Sequence, residues 1–311
     1  MRHAIRLLVG VTAAFAALAA AAYVLAPELT LQTLIEFQRS FAGLERRELQ
    51  LDDDRIVYLE GGQGPNVLLV HGFSADKDNW PRFAARLTDH YRVVAVDLPG
   101  WGESTRHDDQ AYGIRAQVER LHRIVKALDL QPVHIAGNSM GGHIAGVFAA
   151  TYPDEVASLA LINAAGVKSP RESDFVVALN QGENWFQLDS TADVDTFLHR
   201  VFATPPFIPP AAKDRVLAQA RENRAFTDRT LRELNDPAEV FLFESLLPKV
   251  KSRTLILWGD QDHFIDVSAV EVLRAGLPGS EVVIMKDCGH APMLERPEEA
   301  GDHYRHFLES L

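Results

Sequence analysis

Residues 133–142 read Val-His-Ile-Ala-Gly-Asn-Ser-Met-Gly-Gly. An apolar run of buried-strand length leads into a Gly-Asn-Ser-Met-Gly turn, and an Ala- and Val-rich stretch of helical character follows. Strand, sharp turn and helix in this order are the context of a nucleophile elbow centred on Ser139. Glycines suit positions 137 and 141 because side chains there would collide with neighbouring backbone. The turn lifts the Ser139 hydroxyl clear of the sheet and aims the Met140 backbone N–H, at the helix N-terminus, toward an oxyanion. The bland alternative is a Gly-rich turn with an idle serine.

Strand and helix patterns alternate on either side of this stretch. Residues 46–51 and 55–60 alternate polar and apolar around Asp52-Asp53-Asp54, the pattern of a β-hairpin with a solvated acidic turn. Strand 66–70, helix 80–90, strand 93–96, helix 114–128, the elbow strand, helix 140–152 and strand 159–164 follow. Such alternation predicts an α/β fold with a mostly parallel, doubly wound sheet. The next convincing strand, 254–257, begins about ninety residues later, a gap that must hold structure of its own. Residues 168–250 are read as an inserted helical cap, with helical stretches at 211–223 and 237–246 broken by Pro205, Pro206, Pro209 and Pro210. The core, 46–167 and 251–311, resumes with strand 254–259, helix 267–275, strand 281–285 and a helix from Pro297.

A serine hydroxyl needs a base to remove its proton and an acid to orient that base. His290 lies in a Cys-Gly-His-Ala-Pro loop directly after the last strand, at the carboxyl end where such sheets place their chemistry, and is the expected base. The preceding strand ends in Trp258-Gly259-Asp260-Gln261-Asp262. Asp262 is the expected acid, since the Gly-x-x-Asp spacing carries it around the turn, while Asp260 caps that turn. Phe73, after His71-Gly72, is the expected second oxyanion-hole N–H beside Met140. His71 is read as holding its loop by hydrogen bonds, and His143 as a packing or pocket-edge residue.

A net charge of −12 and no Lys/Arg-rich run leave no basic field for nucleic acid. The lone Cys288 has no partner for a disulfide or a Cys-based metal site and is read as a small filler. No His, Asp and Glu cluster has zinc spacing and no Gly-rich phosphate loop occurs, so no cofactor and no metal are expected.

Residues 7–26 carry no charge and follow Arg2, His3 and Arg6, long enough as a helix to cross a hydrocarbon core of about 30 Å. Residues 1–27 are therefore read as an N-terminal transmembrane anchor, with a cytoplasmic N-terminus and an exported catalytic domain. A signal peptide cleaved near Ala20 to Ala22 is the competing reading. Residues 28–45 continue as a juxtamembrane helix with a broad apolar side, laid on the membrane or packed on the catalytic domain. Small-xxx-small spacings among the anchor alanines allow a homodimer through the membrane segment.

Four stretches carry a family resemblance: His-Gly-Phe-Ser-Ala-Asp-Lys-Asp-Asn-Trp (71–80), Asp-Leu-Pro-Gly-Trp-Gly-Glu-Ser (97–104), Gly-Asn-Ser-Met-Gly-Gly (137–142) and Cys-Gly-His-Ala-Pro-Met-Leu-Glu-Arg-Pro (288–297). With the order Ser139, Asp262, His290, the chain from about residue 46 onward resembles the α/β-hydrolase superfamily. Behind an N-terminal anchor, it is similar to membrane-anchored monoacylglycerol lipases and to bacterial inner-membrane lipases and phospholipases A. The resemblance implies hydrolysis of acyl esters of glycerol or glycerophospholipids through an acyl-enzyme on Ser139, with the catalytic domain in the periplasm. Two other readings stand beside it. One is a C–C bond hydrolase of dienoate ring-cleavage products, which usually carries an aromatic residue where Ala291 stands. The other is a non-catalytic module that binds a lipid or signal molecule.

Overall fold

The computed structural model describes residues 26–311, so the anchor expected over residues 1–27 lies outside the described residues save for its last two. Among the described residues no helix is long and apolar enough to cross a membrane.

The strands are β1 (Leu44–Leu51), β2 (Asp54–Gly61), β3 (Asn66–Val70), β4 (Arg92–Val96), β5 (Val133–Asn138), β6 (Val156–Ile162), β7 (Arg253–Gly259) and β8 (Glu281–Met285). They form one sheet in the order β1-β2-β4-β3-β5-β6-β7-β8. β2 pairs antiparallel with β1 and with β4, and every later pairing is parallel. The unbroken Val-Leu-Leu-Val run of β3 has a simple cause. Leu68 and Val70 enter one core cluster with α3 (Ile114–Ala127) and α4 (Met140–Thr151), while Val67 and Leu69 enter the other with α2 (Pro81–Ala84) and α11 (Pro297–Glu309). A strand covered on both faces has no polar side to show. Each such side chain, once buried, contributes about 1.5–3 kcal/mol.

Several elements differ from the sequence pattern. Of the helix expected over 80–90 only α2 is regular; the chain then proceeds through tight turns such as Leu87 N to Ala84 O and His90 N to Leu87 O before entering β4. β6 begins earlier than 159 because the Ser158 hydroxyl, in the sheet interior, pairs with His134 Nδ1 at 2.8 Å. It stops at Ile162 because Asn163 turns to φ 45°. The first helix, α1 (Pro27–Phe41), is shorter than 28–45 because Gly43, at φ 65°, ends it and Leu44 enters β1.

Between β6 and β7 lie α5 (Asp174–Asn180), α6 (Thr191–Val201), α7 (Pro210–Leu234) and α8 (Leu242–Leu246). α7 runs past residue 223 because Phe226, Thr227, Thr230 and Leu231 give it a buried face, and the Thr230 hydroxyl bonds back to Phe226 O at 2.8 Å. The stretch from Pro237 becomes helical only at Leu242, after a turn in which Asp236 Oδ1 accepts the Ala238 N–H at 2.8 Å. α9 (Ala269–Gly276) and α10 (Pro292–Glu295) complete the chain.

Candidate active site

Ser139 stands between β5 and α4 at φ 57° and ψ −120°, a backbone region that costs an L-residue energy and is kept only where the surroundings hold it. Its backbone is held from three sides: N–H to Ile162 O at 3.1 Å, and C=O from His143 N at 3.1 Å and Ala165 N at 3.0 Å. A Cβ on Gly137 would lie 2.1 Å from Gly141 O, and one on Gly141 would lie 2.2 Å from Val70 O. No side chain fits in either place. Ser139 itself is half-buried, whereas its neighbours Asn138 and Met140 are buried.

The loops after β7 and β8 bring Asp262 and His290 together. His290 Nδ1 lies 3.0 Å from Asp262 Oδ1 and 2.9 Å from Oδ2, with both side chains buried. Asp262 also accepts the N–H groups of Phe264 at 2.8 Å and Ile265 at 3.0 Å on Oδ1, and the Asn163 amide at 2.7 Å on Oδ2. These donors satisfy both oxygens of the buried carboxylate and fix its plane. Phe264 stacks on the His290 ring, 4.8 Å between centroids. The His290 N–H donates to Val201 O, at the end of α6, at 2.7 Å.

Ser139 and His290 share no direct hydrogen bond among the described residues. They are joined through Asn138, whose side-chain amide donates to Ile162 O at 3.1 Å and to His290 O at 3.0 Å. Asp260 sits away from His290. Its Oδ1 accepts the Asp287 N–H at 2.8 Å and its Oδ2 pairs with Lys286 at 3.2 Å, the turn-capping position the spacing gave it.

Phe73 follows β3 and Met140 opens α4, and neither amide donates a hydrogen bond among the described residues. His71 donates from Nδ1 to Gly72 O at 2.8 Å and accepts the Leu98 N–H on Nε2 at 3.0 Å, so it ties the β3 loop to the β4 loop. Burial holds its pKa below the usual histidine range. His143 is also buried, with no neighbouring charge or hydrogen bond among the described residues to offset the burial, and its pKa falls to about 3. Burial pushes the Cys288 thiol up to about 12, so it is a packed side chain and not a nucleophile.

Beside Phe73, whose ring packs edge-on against Phe186 and Trp101, lies a cavity of about 240 Å³ lined by Trp101, Phe186, Phe197 and Phe226 together with Asp76. Burial, with Asp97 and Asp78 nearby, raises Asp76 from the usual carboxylate range to about 6. Among the described residues no group of three His, Cys, Asp or Glu could hold a metal ion. In the acidic turn, Asp52 pairs with Arg123 and Asp54 with His107.

Asn138, Asn163 and Phe264 escaped the sequence reading. An asparagine at the carboxyl end of two adjacent strands was the available signal for the first two.

Residues 65–297 match a protein family described as alpha/beta hydrolase fold. Lipase 1 of Psychrobacter immobilis is 34% identical over 286 residues, covering 91% of this chain and 90% of that protein. Monoacylglycerol lipase ABHD6 of Mus musculus is 31% identical over 304 residues, covering 94% and 90%. Among solved structures, a membrane phospholipase A described as a bacterial virulence factor is 42% identical with a TM-score of 0.89, covering 98% of each chain.

Proposed function

This chain belongs to the α/β-hydrolase fold family, and from that premise we propose that it is a serine hydrolase of lipid carboxylic esters, acting on acyl glycerols or glycerophospholipids. The observation that carries the reading is the buried Asp262–His290 pair, joined through Asn138 to a strained Ser139 with two undonated amides nearby. The similarity to lipases, to a monoacylglycerol lipase and to a membrane phospholipase A gives the substrate class.

In this mechanism Ser139 Oγ attacks the ester carbonyl and His290 Nε2 takes its proton. Asp262 holds the imidazole with Nδ1–H inward and stabilises the imidazolium. The carbonyl oxygen becomes an oxyanion facing the Phe73 and Met140 amides, an arrangement worth about 3–4 kcal/mol per donor in enzymes of this type. The tetrahedral intermediate collapses, His290 returns the proton to the departing alcohol, and the acyl group stays on Ser139. A water molecule, deprotonated by His290, then releases the fatty acid and restores the serine.

Residues 168–250 act as a cap over this site, and the aromatic side chains around Phe186 form an apolar wall for the acyl chain. Residues 1–27 anchor the protein in a bacterial inner membrane with the catalytic domain on the periplasmic side. α1, with Leu29, Leu34, Phe37 and Phe41 exposed, lies against the bilayer surface. A homodimer forms through the anchor.

The test is fatty-acid release by detergent-extracted full-length protein from monoacylglycerol, lysophospholipid and diacyl phospholipid, beside Ser139→Ala and with a dienoate ring-cleavage product as control. Release from a lipid that vanishes in the variant is the expected result. Turnover of the dienoate alone would overturn it.

A further inference from the structure

We propose that Arg39, on α1, is a positioning residue for the loop that carries Phe73, acting through Asp78. The inference rests on the reading of the Phe73 amide as an oxyanion donor.

Arg39 is only 6% exposed, the one buried side chain of a helix on which Leu31 and Ile35 are half-buried and Leu29, Leu34, Phe37 and Phe41 are exposed. Its guanidinium forks onto Asp78, Nε to Oδ1 at 2.7 Å and Nη2 to Oδ2 at 2.6 Å, and Nη1 reaches Glu36 at 2.6 Å. Two parallel charge-assisted bonds fix both the position and the plane of a carboxylate.

Asp78 sits in a 3-10 turn, Lys77–Asn79, that ends the Phe73 loop; Asp76 Oδ1 caps the turn by accepting the Asp78 N–H at 2.8 Å. Lys77 is 1% exposed. Its N–H donates to Asp97 Oδ1 at 2.7 Å, and its ammonium reaches Asp97 Oδ2 at 2.9 Å, Glu103 at 2.8 Å and Asp78 Oδ2 at 3.3 Å. Glu103 is in turn held by Arg46 of β1 at 2.7 Å. The far end of the loop is therefore fixed by a closed set of charges, and Arg39 is the member supplied by the helix that precedes the first strand.

The loop needs such fixing. Ser74, directly after Phe73, stands at φ 56°, where an L-residue does not rest unless its neighbours over-determine it. Removing Arg39 leaves Asp78 beside Asp76, Asp97 and Glu103 with Lys77 as their shared counter-charge and Arg46 reaching Glu103 alone, and carboxylates so placed repel. The loop end then shifts, and the Phe73 amide shifts with it. Donors to an oxyanion act only in the transition state, so the loss falls on kcat and not on KM. By this route the seat of α1 on the core is felt at the site.

The experiment compares full-length wild type, Arg39→Ala, Arg39→Lys, Asp78→Asn and the double variant Arg39→Ala/Asp78→Asn. It measures kcat and KM on p-nitrophenyl butyrate, the thermal midpoint, and amide hydrogen exchange over residues 72–79. The expected result is a fall in kcat of about tenfold for Arg39→Ala with KM within about twofold, a smaller fall for Arg39→Lys, and a double variant no worse than the worse single one. Exchange over 72–79 rises in the same order. Folded variants that lose thermal stability but keep wild-type kcat and wild-type exchange at 72–79 would overturn the proposal, as would a change in KM alone. If Arg39→Ala does not fold, Arg39→Lys and Asp78→Asn decide by the same readouts. If the wild type cleaves no ester or lipid, the functional reading falls, while the exchange data still decide whether Arg39 orders the loop.

Discussion

Asn163 donates its side-chain N–H to Asp262 Oδ2 at 2.7 Å while its Oδ1 accepts the Gly259 N–H at 3.3 Å. One amide thus spans the ends of β6 and β7 and sets the face of the acid that His290 meets. The same group reaches Gly289 O at 3.3 Å, so the His290 loop is registered from the same point.

Asn163→Ala should therefore lower kcat by about tenfold with KM little changed, and cost about 1–3 kcal/mol through the donors and acceptors left buried without partners. Steady-state kinetics on a short ester and urea unfolding on the same samples check it. Wild-type kcat in a folded Asn163→Ala would remove Asn163 from the positioning of Asp262.

Asp262→Asn has a sharper expectation. Phe264 and Ile265 both donate to Oδ1, so the oxygen of an introduced amide stays there; its NH₂ takes the place of Oδ2, facing His290 Nδ1 and displacing the Asn163 N–H that Oδ2 accepts. That ring nitrogen must then accept, which puts the imidazole proton on Nε2 and leaves no base for Ser139. A fall in kcat of about 10⁴-fold with the fold intact is expected. An imidazole ¹⁵N spectrum reports the tautomer directly, and an unchanged tautomer with unchanged rate would exclude Asp262 as the acid.

The contrast between these two residues shows what a sequence carries. The meeting of Asp262 and His290 was legible because each follows a recognisable apolar strand, and a serine nucleophile calls for a base and an acid in those loops. The doubly wound sheet was legible for the same reason: strands buried on both faces read as unbroken apolar runs. Asn163 was not legible, because its role depends on the register of β6 against β7, set when Ile162 meets Leu257 across about ninety residues of intervening chain. Lys77 stood in Ala-Asp-Lys-Asp without a role; only the return of β4 and its loop places Asp97 and Glu103 around it.

His143 gives the protein an acid-side liability. Its pKa falls to about 3 by burial, below the unfolded value near 6.5, so the unfolded chain binds the extra proton in between. Its contribution to stability is present above about pH 6.5 and is lost as pH falls toward 3. The ring packs against Gly166, where a Cβ would lie 2.4 Å from His143 Cδ2, and Nε2 has no hydrogen-bond partner among the described residues. His143→Leu should flatten the decline of the thermal midpoint between pH 6.5 and pH 4. Parallel curves for the two proteins would show that His143 does not set this limb.

Asp76 acts in the opposite direction. Its pKa rises from 3.8 to about 6, first by burial and then through Asp97 and Asp78, so the folded protein holds a proton that the unfolded chain releases. Stability from this group is fully present below about pH 4 and is lost as pH rises through about 6. At neutral pH its charge costs on the order of 2 kcal/mol. Asp76→Asn keeps an oxygen to accept the Asp78 N–H and removes the charge. The thermal midpoint should rise by about 4 °C at pH 7.5 and stay within about 1 °C of wild type at pH 4. An equal rise at both pH values would mean that the carboxylate is not the cause. His143 loses stability as pH falls from about 6.5 and Asp76 as pH rises from about 4 to about 6, so the two contributions oppose each other over the same window: Asp76→Asn should steepen the acid-side decline there, and His143→Leu should leave the base-side loss from Asp76 uncovered.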